Sequence, residues 1–135
     1  MTPDAPAAVP RIAVLADDLI WATRLADGVR RSGGEPVPVR SAGALDGVLA
    51  SVAGCIVDLT ARAYDGLACL AVATAAGVPA IAVGRHDDQA IRRAARTAGA
   101  GRVHAYRNLF EHGDRELGAW IGGLAGMEAR KEETA

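Results

Sequence analysis

Five short apolar runs recur along the chain, and a longer segment with the character of a helix follows each of them. The runs lie at residues 11–16, 36–40, 54–59, 79–84 and 102–106. Almost continuous apolar strands separated by helices are typical of a parallel sheet that helices cover on both faces. The pattern therefore predicts an α/β domain of five strand–helix units, a (βα)₅ fold.

The segments between the runs support this prediction, because four of the five carry apolar residues at the i, i+3, i+4, i+7 spacing of one buried helix face. These residues are Leu45, Val48, Leu49 and Val52 in the second segment, Leu67, Leu70 and Ala71 in the third, where the polar Thr74 weakens the match, Ile91, Ala94, Ala95 and Ala98 in the fourth, and Leu117, Trp120, Ile121 and Leu124 in the fifth. The first segment follows Asp18 and carries Trp21, Leu25 and Val29.

The second run contains Pro36 and Pro38, which cannot donate hydrogen bonds to a neighbouring strand. We therefore expect this strand at an edge of the sheet. For five such units the flavodoxin-like strand order 2-1-3-4-5 is a common solution, and it makes strands one and three neighbours. Their carboxyl ends would then form the crevice where ligands bind in folds of this kind.

Composition limits the possible functions. The 135 residues fit one domain, for which we expect a disordered lead-in at 1–10, a folded domain at 11–126 and a charged tail at 127–135. The 15 basic and 16 acidic side chains provide no field that would attract nucleic acid or a membrane surface. Cys55 and Cys69 lack metal-ligand spacing, so we expect a reduced, cytoplasmic protein.

Three carboxylates are predicted to meet at the crevice. Asp17 and Asp18 end the first strand, and Asp58 lies near the end of the third. Like charges this close repel unless a cation or a basic neighbour offsets them. Hard oxygen ligands suit Mg²⁺, which is the possible cofactor. Asp18 also has an alternative interpretation as the N-cap of the first helix.

The segment Leu15-Ala16-Asp17-Asp18 resembles the acidic pair that closes the first strand of bacterial response-regulator receiver domains. The segment from Ile56 to Thr60 is similar to the strand that carries their phosphoacceptor aspartate, and Asp65-Gly66 follows where receivers place an Asp-Gly. The resemblance extends over residues 11–124. It implies that Asp58 is the phosphoacceptor, that Asp17 and Asp18 are Mg²⁺ ligands, and that the carbonyl of Thr60 completes the metal shell.

This chain departs from the receiver pattern at the switch positions. Receivers end the fourth strand with Ser or Thr, where this chain has Gly84, and they end the fifth with Lys-Pro, where it has Tyr106 and Arg107. Arg107 could supply positive charge only if the strand shifted by one residue, which would turn its side chain to the other face. The departures predict a degenerate receiver, or pseudo-receiver, standing alone.

Two further residues are candidates for the crevice. Arg24 on the first helix could reach it or could lie on a solvated face. His86 follows the fourth strand and could line the mouth of the crevice. A helix cap formed by Asp87 or Asp88 explains most of that segment as an alternative.

The resemblance also implies a partner surface on the fourth helix, fifth strand and fifth helix. Its candidate residues are Arg92, Arg93, Arg96, Arg102, Tyr106 and Trp120. Tyrosine and arginine are enriched at binding hot spots, although an arginine run on a helix is more often a solvated face.

Three hypotheses of function follow. The first is a receiver-like signalling domain, not an enzyme, that acts by contact with a signalling partner or kinase, or by self-association, with weak or absent phosphorylation. The second is a working response regulator in which Asp58 is phosphorylated in the presence of Mg²⁺. The third is a small-molecule-binding protein of flavodoxin-like fold, against which the absence of a glycine-rich phosphate loop counts.

Overall fold

Five parallel strands and five helices alternate along the part of the chain that the structure describes. The computed structural model describes residues 9–85 and 87–134, with side chains up to residue 127. The elements in chain order are β1 Arg11–Leu15, α1 Leu19–Arg31, β2 Glu35–Val39, α2 Ala42–Val48, a 3₁₀ turn at Leu49–Ser51, β3 Gly54–Asp58, α3 Gly66–Ala75, β4 Ala80–Gly84, α4 Gln89–Thr97, β5 Arg102–Ala105 and α5 Tyr106–Thr134. The predicted (βα)₅ architecture is confirmed, whereas the lead-in predicted at 1–10 falls almost wholly outside the described residues.

The strands pair in the order β2-β1-β3-β4-β5, all of them parallel. The predicted flavodoxin-like order is therefore confirmed, and so is the edge position of the proline-containing strand β2. In the central pair, Leu15 of β1 lies opposite Val57 of β3. The residues that follow these two positions, Asp17 and Asp58 among them, consequently emerge at the same end of the sheet.

Helices cover both faces of the sheet and divide the core into two clusters. On one face, strand residues such as Leu15 and Val57 pack against α2 and α3. On the other face, residues such as Ile56 and Val83 pack against α1 and α5. The central strands are thus enclosed as the near-continuous apolar runs predicted, whereas the edge strand β2 is partly exposed.

The buried face of α3 differs from the predicted one. Cys69, Leu70 and Ala73 are buried, whereas Ala71 and Thr74 are exposed. This helix is apolar on nearly all sides, so the spacing of apolar residues does not indicate which side packs on the sheet. The sequence pattern identified the helix but not its orientation.

Strand β5 is shorter than predicted, and this changes the site. It ends at Ala105, and Tyr106 is the first residue of α5. Helix α5 has non-helical backbone angles at His112 (φ −129°, ψ 16°) and continues past Met127 to Thr134, where the sequence had indicated a charged tail. No helix in the described part of the chain is long and apolar enough to cross a membrane.

Candidate functional site

Asp58 is the last residue of β3 and is only 1% exposed, although every other residue of that strand is apolar or glycine. Its Oδ1 accepts hydrogen bonds from the backbone N–H of Thr60 at 2.9 Å and from the Thr60 hydroxyl at 2.8 Å. Burying a carboxylate is unfavourable unless hydrogen bonds or charges compensate. Thr60 supplies part of that compensation from the turn directly after the strand.

Tyr106 supplies a third donor to the same oxygen. Its hydroxyl donates to Oδ1 of Asp58 and also lies in contact with the Thr60 hydroxyl. Burial, followed by the hydrogen bond to Asp58, raises the pKa of Tyr106 well above its usual value, so the phenol stays protonated. The ring packs against Trp21 of α1, with centroids 4.1 Å apart. The donor that faces Asp58 is therefore a neutral phenol, and Trp21 packs against its ring.

The second carboxylate oxygen of Asp58 has a different environment. Oδ2 is buried and has no hydrogen-bond partner among the residues that the structure describes. Within residues 9–85 and 87–127, no cationic side chain forms an ion pair with Asp58. The carboxylate is thus saturated by neutral donors on one oxygen and unsatisfied on the other.

Tyr64 connects the two central strands beneath the site. Its buried hydroxyl lies 2.7 Å from the carbonyl oxygen of Leu15 and 2.9 Å from that of Asp58, and its single proton is shared between these acceptors. Burial raises the pKa of Tyr64, which keeps the hydroxyl protonated. The sequence analysis did not single out Tyr64, and its only signal was a large aromatic residue in the loop after the acidic strand end.

The two acidic residues that follow β1 have separate roles. Oδ2 of Asp17 accepts hydrogen bonds from the backbone N–H groups of Arg62 at 2.8 Å and Ala63 at 3.0 Å. These bonds lower the pKa of Asp17. Asp18 is the N-cap of α1, where its Oδ1 accepts from the N–H of Trp21 at 3.0 Å. The capping interpretation of Asp18 is therefore what the structure displays.

The predicted metal ligands are engaged with other groups in this structure. In the described part of the chain, no group of three or more His, Cys, Asp or Glu side chains is placed to hold a metal ion. One oxygen each of Asp17 and Asp18 is already bonded to backbone N–H groups, and Asp58 faces Thr60 and Tyr106. Oδ2 of Asp58 remains without a partner among the described residues, and the binding of Mg²⁺ at these three acids stays a prediction.

The ends of β4 and β5 carry the remaining switch positions. Gly84 is buried at the end of β4, and a Cβ built there would meet Cδ1 of Leu59 at 3.3 Å, so a larger residue would require only a slight shift of the Leu59 side chain. Arg107 is exposed and pairs with Glu111 on α5 at 3.1 Å. Tyr106, not Arg107, is the residue after β5 that meets Asp58.

The structure places Arg24, one of the two other crevice candidates, but not His86. The guanidinium of Arg24 lies 5.4 Å from the ring centroid of Trp21 and 5.0 Å from that of Phe110, which is a cation–π arrangement. Arg24 therefore lies against the aromatic residues beside Tyr106. His86 lies outside the described residues.

The six interface candidates lie in different surroundings. Arg92, Arg96 and Arg102 line a cavity between α4, β5 and α5, whereas Arg93 on α4 is exposed and does not line it. Tyr106 and Trp120 pack instead on the core cluster under α1 and α5. Both aromatic side chains are only partly buried, and their place in a partner surface stays a prediction.

Comparison with known proteins identifies the fold. No protein-family model matches the chain, and no curated protein sequence matches it. The receiver domain of a sensor histidine kinase from Pseudomonas aeruginosa, which has a magnesium ion coordinated in its active-site cleft, superposes with a TM-score of 0.72 at 21% identity, covering 85% of this chain and 99% of that one.

Two further solved structures agree. A response-regulator receiver domain from Clostridium thermocellum gives a TM-score of 0.74 at 16% identity and covers 94% of this chain and 100% of that one. A CheY-like receiver domain from Methanospirillum hungatei gives 0.66 at 19% identity, with 82% and 94% covered. The chain therefore has the fold of response-regulator receiver domains, as the resemblance implied.

Proposed function

We propose that this chain is a receiver-like signalling domain that acts through protein contacts, with weak or absent phosphorylation of Asp58. The observation that carries the proposal is the hydrogen bond from the Tyr106 hydroxyl to the carboxylate of Asp58. The fold supports the signalling part of the proposal, and the chemistry around Asp58 supports the departure from phosphorylation. We assign the domain no catalytic turnover and a cytoplasmic location.

The chemical argument concerns charge. When a carboxylate attacks a phosphoryl group, negative charge accumulates on the phosphoryl oxygens, and a metal ion and fixed donors must offset it. At this site the donors to Asp58 are the amide and hydroxyl of Thr60 and the phenol of Tyr106, all of them neutral. A neutral phenol offsets much less charge than the lysine of receivers would, so phosphoryl transfer to Asp58 should be slow.

Steric access leads to the same expectation. Asp58 is almost fully buried, and Tyr106 lies over it with Trp21 packed behind the phenol ring. A phosphodonor would have to displace the Tyr106 ring before its phosphorus could reach the carboxylate. That displacement would cost the hydrogen bond and the aromatic contact, about 1–3 kcal/mol in total.

The signal would leave through a surface beside this site. Large apolar side chains lie exposed at the start of α1 and early in α5, namely Leu19 (68%), Ile20 (64%) and Phe110 (67%). Phe110 and Arg24 share a shallow pocket of about 280 Å³ with Tyr106. A partner protein, or a second copy of this chain, that covered this surface would sense any movement of Tyr106.

Incubation with acetyl phosphate and Mg²⁺, followed by intact-mass measurement, tests the proposal. We expect no added phosphate mass on the wild-type chain under conditions that label a known receiver fully. An added phosphate that disappears in Asp58→Asn would contradict it. Binding of a partner or self-association that persists in Asp58→Asn would support contact signalling without phosphorylation.

One observation favours a second candidate function, a working phosphoacceptor. Oδ2 of Asp58 is buried without a partner, and an unsatisfied carboxylate oxygen at the end of β3 is the atom that would attack a phosphoryl group. In that case Tyr106 would have to swing away in the active state. The acetyl phosphate experiment separates the two functions, since only this one predicts labelling of Asp58.

A further inference from the structure

A cavity of about 450 Å³ lies between α4, β5 and the first turns of α5. It is lined by polar and charged side chains, which are Gln89, Arg92, Arg96, Arg102, His104, Asn108 and Glu116. Its lining shares no residue with the Asp58 site. Its volume falls within the range of about 300–1,000 Å³ that small-molecule sites occupy.

The charge of this cavity is strongly one-sided. Three arginines face one acid, Glu116, and none of the three forms an ion pair within residues 9–85 and 87–127. Like charges that converge without counter-charges repel each other. An anion in the cavity would remove that repulsion.

One guanidinium nitrogen of Arg92 lacks a hydrogen-bond acceptor. Its Nη2 donates to the carbonyl oxygen of Val103 at 3.1 Å, which holds the guanidinium against β5. Its Nη1 is buried and has no acceptor among the described residues. A buried donor without an acceptor is unfavourable by about 1–3 kcal/mol, and more when it is charged. A small adjustment of this side chain toward an anion would satisfy it.

Neutral donors complete the lining. Burial is the main cause that lowers the pKa of His104 and favours the neutral imidazole, while a hydrogen bond with Asn108 opposes the shift. Asn108 and Gln89 contribute amide N–H groups. The cavity thus combines fixed positive charge with several neutral donors, as sites for oxyanions do.

We propose that this cavity binds a small phosphate-bearing molecule. Arginine forks match the geometry of phosphate oxygens and form paired, charge-assisted hydrogen bonds with them. The cavity is larger than a single phosphate needs, so the ligand carries an organic part or a second phosphate. This inference is independent of the proposed function at Asp58, because the two sites share no residue.

Titration with inorganic pyrophosphate, inorganic phosphate and malonate at constant ionic strength tests the proposal, followed by amide shifts in the NMR spectrum. We expect saturable shifts at residues 102–105 and 108, with pyrophosphate binding most tightly and malonate least. Absence of saturable shifts with both phosphates, or equal affinity for malonate, would overturn the assignment.

Matched variants localise the binding. Arg102→Gln removes an exposed lining arginine, so the core stays intact, and the affinity for pyrophosphate should fall about tenfold, which corresponds to about 1.4 kcal/mol. Arg93→Gln is the control, because Arg93 lies on α4, next in sequence to the lining residue Arg92, but outside the cavity, and the affinity should stay within about twofold. Equal weakening in both variants would mean non-specific attraction and would overturn the site.

Glu116→Gln gives a test of opposite sign. Removal of the one acidic side chain in the lining should tighten pyrophosphate binding by about threefold to tenfold. Weaker binding in this variant would contradict the proposed position of the anion.

Co-sedimentation with vesicles containing phosphatidylglycerol distinguishes a lipid headgroup from a soluble ligand, and vesicle binding without pyrophosphate binding would overturn the proposal.

Discussion

The phenol of Tyr106, the first residue after β5, donates a hydrogen bond to the carboxylate of Asp58 at the end of β3. The resemblance to receivers implies a lysine at the end of the fifth strand, whereas the donor to Asp58 in this structure is a neutral phenol. Such a donor keeps the buried acid hydrogen-bonded and would supply no positive charge to pair with an aspartyl phosphate. The proposed loss of phosphorylation depends on this pair.

Restoring the missing groups should restore phosphorylation. The double variant Gly84→Ser with Tyr106→Lys supplies the hydroxyl and the ammonium that receivers have, and only the movable side chain of Leu59 crowds the new Cβ at 3.3 Å. We expect at least about tenfold more phosphate on Asp58 after incubation with acetyl phosphate and Mg²⁺, because a charged donor stabilises the product by about 1.5–3 kcal/mol. Intact-mass measurement checks the result.

The matched control is Gly84→Ser with Tyr106→Phe, which removes the phenol hydroxyl without adding charge. It should gain no labelling. If it gained as much as the lysine variant, occlusion by the hydroxyl and not the lack of charge would be the obstacle.

Tyr64→Phe should destabilise the fold. The buried hydroxyl of Tyr64 bonds the carbonyl groups of Leu15 and Asp58, and phenylalanine would leave both without this donor. We expect the free energy of unfolding to fall by about 1–3 kcal/mol. Urea denaturation measures the change, and an unchanged midpoint would show that the two carbonyls find other donors.

Asp17 should make the free energy of unfolding depend on pH in the acidic range. Its lowered pKa means that the folded state favours the carboxylate, so its contribution is complete above the pKa of the unfolded chain and is lost as the pH falls through the lower, folded value. Asp17→Ala should therefore be less stable than the wild type at pH 7, and the deficit should shrink below about pH 4. Denaturation from pH 7 to pH 3 tests this.

Asp17→Asn is the control for charge, since it retains an oxygen acceptor for the N–H groups of Arg62 and Ala63. Its deficit should be smaller than that of alanine. A deficit that grew in acid would contradict the assigned direction of the pKa shift.

Gly54→Ala should show how tightly α5 packs on the sheet. A Cβ at Gly54 would meet Cδ1 of Leu124 at 2.7 Å and ring atoms of Trp120 at 3.0 Å. Overpacking of this kind destabilises by about 1–3 kcal/mol. Gly43→Ala, where a Cβ meets nothing within 4 Å, is the control in a thermal melt, and equal stability of the two variants would contradict the contact.

The architecture could be predicted because its signals are local and repeated. Proline excluded β2 from the sheet interior, and apolar runs marked every strand. The parallel register then fixed where Asp17 and Asp58 would emerge, so the end of the sheet that carries the site could also be predicted.

Side-chain partnerships could not be predicted in the same way. Which donor Asp58 finds depends on where β5 ends. The strand ends one residue earlier than predicted, and Tyr106, the first residue of α5, donates to the carboxylate. Asp17 is bonded to the loop after β3, some 45 residues further along the chain, by backbone groups that no sequence spacing reveals. The buried face of α3 could not be predicted either, because a helix that is apolar on nearly all sides has no single apolar face in its sequence pattern.

Beryllofluoride titration in the presence of Mg²⁺, followed through the amide signals of Asp58, Thr60 and Gly84, tests the central claim most directly. If Tyr106 and Thr60 hold Asp58 in a site without compensating charge, these signals should stay in place at concentrations that saturate a working receiver, and the spectrum of Asp58→Asn should respond no differently. Saturable shifts at all three residues that vanish in Asp58→Asn would contradict the account.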